Sequence, residues 1–101
     1  MAPLSGRLGR RVRRRRTRLI AAAAACGVSN LRVFGSVARG DEHQGSDVDL
    51  AADLPSEMGL FGLARLEAEL SGILAAPVDL VPAGNLKPGT RSCADREAVY
   101  L

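Results

Sequence analysis

The residues best suited to chemistry in this chain are three aspartates and one glycine-serine turn. Asp47 and Asp49 stand one residue apart in Asp47-Val48-Asp49-Leu50-Ala51-Ala52, where polar and apolar positions alternate with the period of a strand buried on one face. That spacing projects both carboxylates from the same face, with Cα atoms about 6.5–7 Å apart. Two such acids repel each other and must stay hydrated unless a divalent ion compensates them, and hard carboxylate oxygens select Mg²⁺ or Mn²⁺ rather than zinc. Asp79 interrupts Val78, Leu80 and Val81, which otherwise read as a core strand. If the two strands are neighbours, the three carboxylates share one surface and can hold two metal ions roughly 3.5–4 Å apart, enough to polarise a phosphate and activate an attacking hydroxyl.

Gly35-Ser36 supplies a place for phosphate oxygens. A glycine lets the backbone approach the phosphates closely, the N–H groups that follow lie at a helix start, and the Ser36 hydroxyl adds a donor or caps the short helical turn expected through Arg39. Arg39, one turn along, adds positive charge; a surface ion pair with Asp41 or Glu42 is its alternative role. His43 falls in the polar loop over residues 41–46 and is read as solvated, and Lys87 as a surface lysine.

The elements that must position these groups can be read from the pattern. A helix is expected from about Arg10 to Cys26, closed by Gly27, with Leu8, Val12, Leu19, Ile20 and Ala23 near one face and Arg15 and Arg16 interrupting that stripe. Leu31 to Phe34 reads as a strand ending at Gly35. After a Pro55-Ser56 break, Leu60, Leu63, Leu66, Leu70, Ile73 and Leu74 recur at the spacing of an amphipathic helix covering a sheet. Val78 to Val81 is a further strand, residues 82–89 are loop, and a last helix is expected from about Thr90 to Tyr100. The fold class is therefore α/β (α+β), a small mixed β-sheet with flanking helices. Residues 1–9 are expected to be a disordered basic start and residues 10–101 a single domain, with its catalytic core over about 27–101.

Composition narrows the classes. A chain of 101 residues suits one compact domain and leaves little room for a separate substrate domain. Aromatics make up 3% of the residues, too few for a single-strand binder that stacks bases. Cys26 and Cys93 have no metal-ligand spacing and read as reduced, small apolar residues. The net charge of +3 conceals an asymmetry: eight of fourteen basic residues lie between Arg7 and Arg18, and no acid precedes Asp41. From residue 19 onward six basic and eleven acidic side chains leave the balance at −5. The basic head is thus the candidate contact for RNA or an acidic partner, with a solvated extension as the plain reading. No run approaches the roughly 20 apolar residues of a membrane span. The seven-residue run Leu19 to Ala25 before Cys26 is short for an export signal, so a cytoplasmic protein is expected.

Gly35-Ser36, ten residues, then Asp47-x-Asp49, in the context Val33-Phe34-Gly35-Ser36-Val37-Ala38-Arg39-Gly40 and Ser46-Asp47-Val48-Asp49-Leu50, resembles the DNA polymerase β-like nucleotidyltransferase superfamily, and within it the minimal nucleotidyltransferase group. The likeness runs from about Gly27 to Leu101 and takes in Val78-Asp79-Leu80-Val81 and Leu86-Lys87-Pro88. It implies the polymerase β-like fold, metal ligation by Asp47 and Asp49, triphosphate binding by Gly35 and Ser36, and Asp79 as third acid and helper in deprotonating the acceptor. It also implies Mg²⁺ as cofactor and ATP as co-substrate. Many members of the group are antitoxins that attach AMP to a tyrosine of a small helical HEPN-type ribonuclease toxin, so that partner and that reaction are the expectation. A toxin-neutralising module without catalysis, and nucleotidyl transfer to a small molecule, are the alternatives. The arginine-dense head and the small or polar run Ser92-Cys93-Ala94-Asp95 depart from the group's pattern.

Overall fold

The computed structural model describes residue 4, residues 6–40, residues 47–83 and residues 98–101. In chain order its elements are α1 (Arg7–Arg14), α2 (Arg16–Ala25), β1 (Ser29–Phe34), α3 (Gly35–Arg39), β2 (Val48–Asp53), α4 (Leu60–Leu74), β3 (Val78–Pro82) and β4 (Val99–Tyr100). The four strands form one mixed sheet in the order β3-β2-β1-β4. β1 is antiparallel to both β2 and β4, whereas β2 and β3 run parallel because α4 carries the chain back between them.

Alternation in the strands decides which face is covered. Val48, Leu50, Ala52, Val78 and Leu80 are buried, while Asp53 and Asp79 are exposed and Asp49 is half-buried. From α4, Leu66, Leu70 and Leu74 join Leu19 of α2 and Val12 of α1 in the same apolar cluster. Leu70 is fully buried, and truncation to alanine would leave a cavity that the surrounding β-sheet cannot fill. Leu70→Ala is expected to cost about 2–5 kcal/mol, measured as a lower midpoint in urea denaturation.

α4 also fastens the outer strand of the sheet. The Ser71 hydroxyl accepts from the Val78 N–H at 3.1 Å and the Glu67 carboxylate from the Leu80 N–H at 2.9 Å. Both donors lie on β3, whose outer edge has no strand beside it among the described residues. Asp79 sits between these two anchored residues.

Several expectations need correction. The helix expected over residues 10–26 begins at Arg7 and is interrupted at Arg15, where φ is −105° and ψ 14°. The interruption falls where the apolar stripe is broken. Arg15, half-buried, donates to the Ile73 carbonyl at 2.6 Å, and Arg11 donates to the Leu74 carbonyl at 2.9 Å, so two guanidiniums satisfy carbonyls in the last turn of α4. The start of the chain is not frayed throughout residues 1–9. Leu4 is buried, its N–H donates to the Ala38 carbonyl at 3.1 Å, and its backbone lies directly against Gly9.

Leu60 belongs to α4 but not to the core: it is 84% exposed, beside Phe61 at 89%, because no described residue covers the first turn of the helix. Cys26 is exposed at the end of α2 rather than packed. The last helix expected over Thr90 to Tyr100 lies largely outside the described residues, yet its final residues are strand. Val99 and Tyr100 pair with Val33 and Arg32, as a β-branched and an aromatic residue on a free sheet edge favour. Among the described residues, no helix is long and apolar enough to cross a membrane.

Candidate active site

β1 delivers the chain to Gly35, and the turn there depends on that glycine. Its φ is +76°, a left-handed conformation that side chains disfavour. A Cβ built on it would lie 2.5 Å from Oδ2 of Asp49, so the carboxylate occupies the space that a side chain would need. α3 starts at this residue, and the N–H groups of its opening turn have no partner four residues back. Ser36 is the second residue of α3, half-buried. The residue at the N-cap position is Phe34 and no side-chain hydrogen bond caps the helix, which corrects the reading of Ser36 as a cap. The turn closes at Gly40, and residues 41–46, with His43 and the start of the acidic motif, lie outside the described residues.

β2 then brings the acids to the turn. Asp49 is paired with Phe34 on one side and with Asp79 on the other, so three strands place the glycine turn and two carboxylates in one row. Residues paired in register on neighbouring parallel strands project to the same face, and the strand axes are about 4.8 Å apart. Asp47 stands two residues ahead of Asp49, exposed, at the entry to β2.

The electrostatics follow from this row. The carboxyl of Asp49 is held above the ordinary range of an aspartate, first by burial and then by the negative charges of Asp79 and Asp47, while Arg39 pulls it back. Two of the predicted acids and the predicted arginine therefore act on the half-buried carboxyl of the third. Among the described residues, no group of three or more His, Cys, Asp or Glu side chains is placed so that it could hold a metal ion. The row is a negative cluster only partly offset by Arg39 and set against a turn rich in donors, and it can compensate itself by taking up cations and phosphate together.

The sequence reading missed Glu67 and Ser71. These residues hold the N–H groups on either side of Asp79 and so fix where the third acid stands. Their signal was faint: two polar residues four apart on a helix whose apolar stripe drew the attention. A cleft of about 320 Å³ lined by Ile20, Val28, Leu31 and Leu101 lies at the opposite end of β1 and contains none of the acids.

The family model described as nucleotidyltransferase domain matches residues 14–101. The chain belongs to the nucleotidyltransferase domain family. The protein adenylyltransferase MntA of Thermococcus cleftensis is 39% identical over 75 residues, which cover 74% of this chain and 76% of that protein. A solved structure described as a minimal nucleotidyltransferase superposes with a TM-score of 0.80 at 39% identity, over 89% of this chain and 92% of the other. A toxin–antitoxin complex solved with AMP-PNP aligns at a TM-score of 0.72 over 83% of this chain and 69% of that one. At 20% identity, that likeness establishes the shared fold alone. The resemblance read from the Gly-Ser and Asp-x-Asp spacing is borne out, and the mixed sheet with flanking helices is that of nucleotidyltransferases. The protein is accordingly an enzyme of nucleotidyl transfer.

Proposed function

We propose that this nucleotidyltransferase is an antitoxin that transfers AMP from ATP to a tyrosine of a partner toxin of the small helical HEPN type. The observation that carries the reading is the row formed by Gly35, Asp49 and Asp79, in which the turn and two carboxylates meet on three adjacent strand ends. The acceptor class is supported by the likeness to protein adenylyltransferase MntA and the antitoxin role by the likeness in fold to the toxin–antitoxin complex. ATP as co-substrate supports a cytoplasmic location for the reaction.

The donor set suits Mg²⁺, with Mn²⁺ as a close substitute, because it is made only of carboxylate oxygens and because Asp49 is strained by its acidic neighbours. Asp47, Asp49 and Asp79 would hold it, and when bound it would neutralise charge on the phosphates. Gly35 and Ser36 grip the triphosphate through backbone N–H groups and the hydroxyl, and Arg39 offsets the remaining charge. The tyrosine oxygen attacks the α-phosphorus in line, the bond to the β-phosphate oxygen breaks, pyrophosphate departs, and the phenolic proton passes to the Asp79 carboxylate. Positioning of the two reactants supplies much of the acceleration.

A purified complex of this protein with its partner, given ATP labelled in the adenosine and Mg²⁺, is expected to label the partner. Asp47→Ala should abolish labelling while circular dichroism shows an unchanged fold, since Asp47 is exposed and outside the core. Equal labelling by wild type and variant would remove the basis for the reading.

A further inference from the structure

Seven of the eight arginines of the head fall into two groups. Arg11, Arg15 and Arg16 turn inward: their guanidiniums donate to the carbonyls of Leu74, Ile73 and Leu101, and they tie α1 and α2 to the end of α4 and to the last strand. Arg7, Arg10, Arg14 and Arg18 do the opposite. All four are exposed, and among the described residues their side chains have no hydrogen-bond or ion-pair partner. Arg7, Arg10 and Arg14 follow one another at spacings of three and four along α1, and Arg18 comes four residues later on α2, beyond the interruption at Arg15. At about 100° per residue, Arg7, Arg10 and Arg14 fall within roughly 60° of one another, opposite the buried Val12.

Like charges at this spacing repel, and among the described residues none of the four has an acidic partner. Two of the four also stand outside the matched domain. The family match starts at residue 14, so Arg7 and Arg10 stand ahead of it. α1 nevertheless packs against α3, the helix that starts at Gly35, and the backbone N–H of Leu4 reaches the Ala38 carbonyl. The helix that carries three of the four arginines therefore lies beside α3.

We propose that Arg7, Arg10, Arg14 and Arg18 form a docking strip for the phosphodiester backbone of a nucleic acid. An acidic protein surface is the competing occupant, and the surroundings disfavour it. Protein interfaces concentrate their energy in buried aromatic or aliphatic anchors, whereas the exposed large apolar residues, Leu60, Phe61 and Tyr100, all lie on other elements. A row of guanidiniums separated by one helical turn matches a string of phosphates and needs no apolar anchor. The strip reads charge and not sequence, because it has no aromatic platform and no second helix to enter a groove. It does not depend on which acceptor the active site adenylylates.

The test is fluorescence anisotropy of the full chain with labelled 20-base-pair RNA and DNA duplexes at increasing salt. Binding to either duplex is expected, with the pair of curves reporting which helix is preferred, and affinity should fall roughly 100-fold between 50 and 200 mM salt for four phosphate contacts. The quadruple change Arg7→Gln, Arg10→Gln, Arg14→Gln and Arg18→Gln should remove most of that slope, about one per arginine, with no change in thermal melting. The matching quadruple change to lysine should keep it. Glutamine and wild-type chains that bind alike, binding indifferent to salt, no binding to either duplex at 50 mM salt, or a polyglutamate peptide of equal charge binding as tightly as the duplexes would overturn the proposal.

Discussion

Asp49→Asn is expected to lower nucleotidyl transfer by roughly 10³-fold while raising the melting temperature of the metal-free protein. The two effects have one cause. Asp49 is half-buried, lies against Gly35 and pairs in register with Asp79, so its charge is held where the fold least favours it. Its carboxyl titrates above the ordinary range in the folded protein, through burial first and then through Asp79 and Asp47. In the unfolded chain it titrates near the ordinary value of about 3.9. Between those two values the folded protein binds more protons than the unfolded one, and stability therefore falls as pH rises through the window. Above that window the loss is complete, and a neutral isostere escapes it. The advantage of the variant should disappear below the ordinary aspartate range, where both states of the wild type are protonated. Adding Mg²⁺ with a non-hydrolysable ATP analogue should stabilise the wild type by mass action and leave the variant nearly unmoved. Thermal melts at several pH values in chelator, followed by the same melts with Mg²⁺ and nucleotide, check every part of this; a variant that melts below the wild type at neutral pH in chelator would contradict it.

Gly35→Ala separates the cost to folding from the cost to catalysis. An alanine at φ +76° is strained by about 1–2 kcal/mol, and its methyl group would meet Oδ2 of Asp49 at 2.5 Å. The atom it meets is the end of a side chain and not backbone, so the clash is relieved cheaply by rotating the carboxylate away. That relief is what catalysis cannot tolerate, because the displaced group is the central acid and the displaced turn is the phosphate grip. Activity is expected to fall on the order of 10²-fold, as a shift of about 1 Å in a reacting group does, while chemical denaturation shows only the modest strain. Loss of stability without loss of kcat would show that the close packing of Gly35 on Asp49 serves the fold and not the reaction.

Much of this arrangement was legible in the sequence for a simple reason: strands and turns that hold charged groups in a small domain can be built in few ways. The period of two in Asp47 to Ala52 put the acids on one face, and an acid inside Val78 to Val81 had to stand on a face that water reaches. The adjacency of β2 and β3 follows from the length of α4, which is long enough to cross a sheet and return the chain in parallel. What escaped prediction was decided by contacts distant in sequence. Arg15 looks like a flaw in an amphipathic stripe until the Ile73 carbonyl is placed beside it, 58 residues away. Leu4 belongs to a glycine- and arginine-rich start that reads as frayed, and only the Ala38 carbonyl shows it anchored. Val99 and Tyr100 were assigned to a helix by continuity with the residues before them, but a free edge of β1 was waiting for a strand. Ser36 has the residue type of a cap and the location of a ligand, and the location prevailed because Phe34 already occupies the cap position.

The central claim is that this site moves a nucleotide and not a phosphoryl group, and the position of the label in ATP decides it. Incubating the protein and its partner with ATP labelled at either the α- or the γ-phosphorus should attach the α-label to the partner, release the γ-label as pyrophosphate in equal amount, and show neither event with Asp49→Asn. Transfer of the γ-label to the partner, or α-labelling that survives Asp49→Asn, would contradict the mechanism.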